Sequence, residues 1–134
     1  MKKFTILLFI SLLGLSFSAN AQEGEEDEGI KSALIVIDVQ NAYMDMMDQE
    51  SIDEPIEYIN ASVWLFNQLK LPIIYIYHQD KNQETSTDSE EFQFTDEIPV
   101  PEDATKVIKH YGNAFNKTEL DKILKDLDCN TLSI

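Results

Sequence analysis

Few residues of this 134-residue chain can do chemistry, and three of them stand at the ends of apolar runs. In "SALIVIDVQNAYMD", residues 32–45, five apolar residues end on the carboxylate of Asp38. An unpaired charge inside a strand buried on both faces is costly. At the carboxyl end of a parallel strand it faces the crevice where α/β sheets bind ligands. Asp38 is thus a site residue or merely the cap of the next turn. His78 ends the run "IIYIY" in the same way, and "TKVIKHY" ends its run near Lys109. Asp38, Gln40, His78 and Lys109 therefore fall in one layer. An Asp beside a Lys desolvated at a strand end is a common active-site pair. The alternative for Lys109 is a surface lysine on an edge strand.

The elements that must position these residues follow from periodicity. A short β-branched run at residues 33–37 reads as the first strand. A helix is expected to start near Pro55, because a missing N–H is harmless in a first turn. Ile56, Ile59, Val63 and Phe66 keep its apolar face, Trp64 and Leu65 widen it, and Pro72 stops it. Residues 73–77 form the second strand, and the βαβ crossover should be right-handed. Residues 79–101 hold few apolar residues and no clear period, so a long functional or disordered loop is expected. A short third strand ends near Lys109. Thr118 with Asp121 then resembles a capping box before a helix carrying Leu120, Ile123, Leu124 and Leu127 on one face. "NTLSI" begins a fourth strand.

Length allows one domain. The start resembles a secretory signal peptide over residues 1–21, with Lys2 and Lys3, an apolar stretch, and Ala19-Asn20-Ala21 as an A-x-A site. An exported, periplasmic or secreted protein beginning at Gln22 is the expectation, with no membrane anchorage after cleavage. Residues 22–31, including "QEGEEDEG", read as an acidic disordered leader, and 32–134 as the domain. The formal charge is −15, and the chain contains no Arg. That balance argues against nucleic-acid and anionic-membrane partners, which need clustered cations. One cysteine, Cys129, gives no internal disulfide framework.

Three pieces together resemble the isochorismatase-like family of cysteine hydrolases: "ALIVIDVQNAYMD", "LPIIYIYHQD" and "EIPVPEDATKVIKHYGNAFNKTELDKIL". Their order and separation agree over most of residues 32–134. The resemblance implies a three-layer, Rossmann-like α/β fold with a parallel sheet, truncated here after the fourth strand. It implies hydrolysis of amide or other C–N bonds, with Asp38 accepting the thiol proton and Lys109 steadying the thiolate. Gln40, Tyr43, His78 and Phe115 become candidate substrate-binding residues. No cofactor and no metal are expected, because the acid-and-histidine cluster of zinc-binding members is not reproduced. The family's usual Ser before "AF" is Asn113 here. The family's nucleophilic Cys follows the fourth strand, whereas Cys129 precedes it and is not carried over.

Four functions are therefore weighed, in this order. The first is the amino-terminal part of an exported isochorismatase-like hydrolase, inactive alone, whose small-molecule substrate would bind once the domain is completed. The second is a non-catalytic exported binding or interaction protein that keeps the half-fold. The third is a vinyl-ether-splitting isochorismatase, which needs Asp and Lys but no Cys. The last is a receiver-like phosphoacceptor, which lacks the paired acids after the first strand. An uncovered parallel sheet also makes a homo-oligomer one expected state.

Overall fold

The computed structural model describes residues 29–80 and 85–134, so the signal-peptide reading and most of the acidic leader lie outside the described residues. Four strands form one parallel sheet: β1 Ser32–Ile37, β2 Ile73–His78, β3 Thr105–Lys109 and β4 Thr131–Ser133, in the order β3-β2-β1-β4. Helix α1 (Asn41–Met44) and helix α2 (Gln49–Leu69) join β1 to β2, and α3 (Leu120–Asp126) joins β3 to β4. The expected α/β class and parallel sheet are present.

Hydrophobic alternation explains the layers. Leu34, Val36, Tyr75 and Tyr77 face α2, where they meet Ile56, Val63 and Phe66. Ala33, Ile35, Ile74, Ile76 and Val107 face the other way, against Leu120 and Leu124 of α3. Both faces of β1 and β2 are thus covered, which is why their sequences are nearly continuous in Ile, Val and Leu. A left-handed Lys70 (φ 54°) closes α2 before Pro72, whose carbonyl accepts the Leu34 N–H at 2.9 Å.

Three local expectations need correction. α2 starts at Gln49, so Pro55 lies inside the helix and not in its first turn. The segment after β2 is no featureless loop: Phe92, Phe94 and Ile98 are buried, and Phe94 packs on Tyr75 and Tyr77 at ring separations of 5.6 and 4.6 Å. The capping box does not form, since Asp121 pairs with Lys125 and Thr118 bonds the Ala114 carbonyl. The described end of the leader is also tied down, with the Lys31 N–H on Asn130 Oδ1 at 2.9 Å and the Gly29 carbonyl on Asn130 Nδ2 at 3.2 Å.

Candidate active site

The register brings three strand ends together. Ile37 pairs with Ile76 and His78 with Lys109, so Asp38, His78 and Lys109 emerge at one level of the sheet. Val107 lies on the α3 side, and two residues on, Lys109 keeps that side. His78 follows Ile74 and Ile76 there by the same alternation. Asp38 would fall on the opposite side if β1 simply continued. Its left-handed backbone (φ 58°) breaks the alternation, a conformation that Asp tolerates better than most residues.

The outcome is an ion pair. Lys109 Nζ lies 2.7 Å from Asp38 Oδ2, with the lysine side chain only 3% exposed. The ammonium also meets His78 Nδ1 at 3.3 Å and the Gly112 carbonyl at 3.5 Å. Three acceptors therefore surround a group with three N–H donors, which is how a buried ammonium is tolerated. An ammonium can only donate, so His78 Nδ1 is the acceptor in this contact. The other carboxylate oxygen, Asp38 Oδ1, is sealed from solvent and has no hydrogen-bond partner among the described residues. A buried acceptor without a donor is unfavourable and rare.

Gln40 holds this arrangement in place. Its Nε2 donates to the Phe92 and His78 carbonyls at 2.8 and 3.2 Å, and its Oε1 accepts the His78 N–H at 2.6 Å. The buried amide thus grips three backbone groups on two segments and positions His78; its polar atoms are engaged by the protein itself. Tyr43 sits edge-on to His78, ring centroids 6.4 Å apart, and both line a hollow of about 300 Å³ with Met46, Asp80 and Phe92. Burial, then the Asp38 and Asp80 carboxylates, raise the Tyr43 hydroxyl above its ordinary pKa, which keeps it a donor. Phe115 is 47% exposed on the loop before α3 and does not line this hollow.

Cys129 stands at the other end of the sheet. It precedes β4, whose first residue Thr131 pairs with Ser32, six residues before Asp38. At strand rise that separation is roughly 20 Å. Burial, then Asp128, push its thiol pKa up, opposite to what a nucleophile needs. The Gly112 carbonyl and the Asp38 backbone were not foreseen; a backbone acceptor leaves no signal in residue type.

The family model described as the isochorismatase domain matches residues 32–134. Among curated proteins none matches. Solved structures do. An isochorismatase from Pseudomonas putida is 24% identical with a TM-score of 0.65, over 76% of this chain and 54% of that one. N-carbamoylsarcosine amidase from Thermoplasma acidophilum is 20% identical with a TM-score of 0.67, over 77% and 65%. Pyrazinamidase of Pyrococcus horikoshii, solved in complex with zinc, is 20% identical with a TM-score of 0.61, over 76% and 68%. At these identities the likeness is one of fold. The chain spans about three-fifths of the length of the solved relatives it matches.

Proposed function

The chain belongs to the isochorismatase family, and we propose that its Asp38–Lys109 pair is the proton-handling half of a hydrolase acting on amide or related C–N bonds. The observation that carries this reading is the 2.7 Å ion pair with Asp38 Oδ1 left without a donor. The Asp38 side chain is 34% exposed, so a nucleophile's X–H group would approach the carboxylate on that side. Asp38 would take the proton as the nucleophile bonds to the carbonyl carbon. It would return it to the leaving nitrogen as the C–N bond breaks, and water would then release the acyl group. Lys109 would stabilise the anionic nucleophile and hold Asp38 in place. The amidases among the solved relatives make this chemical class the natural one to test.

A thiol nucleophile is not available at this site, because Cys129, the chain's one cysteine, lies at the opposite sheet end. The chain by itself is therefore expected to bind small amides beside His78 and Tyr43 without turning them over. Zinc accompanies the Pyrococcus protein. Among the described residues here no three His, Cys, Asp or Glu side chains converge, so they do not fit such a centre and no step is routed through a metal.

A second reading, a non-catalytic exported interaction protein, is favoured by the exposed Trp64 on α2. Export itself rests on residues 1–21; among the described residues no helix is long and apolar enough to cross a membrane.

The test combines assay and binding. The purified chain is expected to give no amide hydrolysis, while nicotinamide or a carbamoyl amide shifts the NMR signals of Tyr43 and His78, and Asp38→Asn removes those shifts. Hydrolysis abolished by Cys129→Ser would overturn the assignment of the missing nucleophile. Cleavage of a vinyl-ether substrate that survives Cys129→Ser but not Asp38→Asn would favour the cysteine-free vinyl-ether chemistry. Absence of any binding would favour the interaction protein.

A further inference from the structure

The hollow beside His78 is charged with one sign. Asp80 and Glu91 line it, both exposed, and among the described residues no lysine does. Residues 81–84, which follow Asp80, bring one Lys and one Glu and so no net charge. Lys109 does not line the hollow and is already engaged with Asp38, His78 and Gly112. The side-chain amides in its wall are spent as well. Gln40 donates to the Phe92 and His78 carbonyls, and Gln79 to the Thr85 carbonyl at 2.8 Å. An anion placed here would meet two carboxylates and no counter-charge.

The other lining groups are of the kind that hold cations. Tyr43 and Phe92 present aromatic rings, and Met46 a polarisable thioether. Among the described residues no ring stacks face to face on Tyr43, whose contact with His78 is edge-on. An aromatic face attracts a cation through its quadrupole, more strongly where water is displaced. The field at that ring is negative. Burial first, then the Asp38 and Asp80 carboxylates, raise the Tyr43 hydroxyl pKa, so two negative charges act there. Ring and carboxylates are separate observations, and both favour a positive ligand.

We propose that this hollow is a specificity pocket for an ammonium group, and that the site takes short amides carrying such a cation, with Tyr43 selecting for it. His78 joins the two regions: its Nδ1 meets Lys109 at 3.3 Å, and its ring meets Tyr43 in the hollow. The C–N bond then belongs at Asp38 and the cation across His78 from it, which calls for a short spacer. The amide half of this inference rests on the hydrolase reading; the cation half rests on the hollow alone.

The test uses two amides of one shape. Betaine amide carries a trimethylammonium group, and tert-butylacetamide puts carbon in place of its nitrogen; the monoamide of malonate supplies an anion. Each is titrated into the isotope-labelled chain at low ionic strength, following the Tyr43 and His78 signals. Betaine amide is expected to bind about tenfold or more tightly than tert-butylacetamide, and the malonate monoamide not to saturate. Tyr43→Leu should bring the two isosteres to within about twofold of each other. Glu91→Gln, at an exposed position, should weaken betaine amide alone by about threefold and reduce the salt dependence of its binding. Equal affinity of the isosteres for the unaltered chain, or saturable binding of the malonate monoamide, overturns the proposal while leaving the amide site standing. Tetramethylammonium, which has no amide, should move the same two residues' signals. If it does so while no amide binds, the cation pocket stands and the hydrolase reading falls. No shift with either tetramethylammonium or betaine amide overturns the pocket.

Discussion

Asp38 and Lys109 pair at 2.7 Å although their strands never touch: β2 runs between β1 and β3, and the pair closes over its end. Their environments are unequal, since the lysine side chain is 3% exposed and the aspartate 34%. Removing either partner should therefore have unequal effects. Asp38→Asn keeps the left-handed backbone but leaves a buried ammonium without its counter-ion, at a cost of about 3 kcal/mol. Lys109→Met leaves a carboxylate that water can reach, and should cost about 1–2 kcal/mol. The double variant should be more stable than Asp38→Asn alone. Urea titrations of the three variants check the order, and equal losses for both single variants would contradict the burial asymmetry.

Gln40 makes a second, independent prediction. Gln40→Leu removes three hydrogen bonds to buried backbone groups and leaves those groups unpaired, which should cost about 2–4 kcal/mol. Gln40→Glu keeps the acceptor for the His78 N–H but sets a carboxylate against two carbonyl oxygens, so it should rescue little. Gln40→Leu, which removes the acceptor, should speed amide exchange at His78 relative to Val107. Unchanged exchange at His78 would show that the side chain does not hold that strand end.

The strands were legible because β1 and β2 are buried on both faces, so nearly every residue in them is apolar. Asp38 and Lys109 stood out for the same reason, as charges ending apolar runs. The pairing of Asp38 with the α3-side residues was not legible, because a strand's alternation points it the other way until the backbone turns left-handed. The segment after β2 hid its core residues for a different reason. Phe92 packs on Tyr77 and Phe94 on both Tyr75 and Tyr77, from an irregular backbone, and so they show no period. Gln40 lines the hollow beside His78, but its bond to Phe92 spans 52 residues, and nothing in the local sequence announces it.

Those aromatic contacts can be weighed directly. Phe94 is 5% exposed and touches both tyrosine rings, so Phe94→Ala should cost about 3–4 kcal/mol and detach the segment from the sheet. Near-ultraviolet circular dichroism from Tyr75 and Tyr77 should collapse while the far-ultraviolet signal changes little. A loss below about 1 kcal/mol would mean that the segment is only loosely seated.

Cys129 should be a slow thiol. Burial and Asp128 raise its pKa, so at neutral pH less of it is thiolate than in the unfolded chain. Iodoacetamide should therefore react more slowly with the native chain than with the chain in urea, and the native rate should climb on moving to alkaline pH. The linkage has a definite sign: native structure favours the protonated thiol, so this contribution holds below the unfolded-chain pKa and is lost as pH rises through the raised native one. Equal alkylation rates in the two states at neutral pH would remove the basis for this.

Pro55 decides where α2 begins. In the structure it is the seventh residue of a helix that starts at Gln49, so its ring removes the N–H that Ser51 would receive four residues earlier. A proline in a helix interior costs up to about 3 kcal/mol through the lost bond and the clash with that carbonyl. Pro55→Ala should then stabilise the chain by about 1–2 kcal/mol, because alanine gives back part of the gain by loosening the unfolded state. Helical ellipticity should rise as well. A helix that began at Pro55 would behave differently, since proline is favourable in a first turn and alanine there would be neutral or destabilising. The sign of the change in the urea midpoint therefore separates the two helix starts, and with them the question of whether Ile52, 6% exposed, belongs to the apolar face that packs α2 beneath the site.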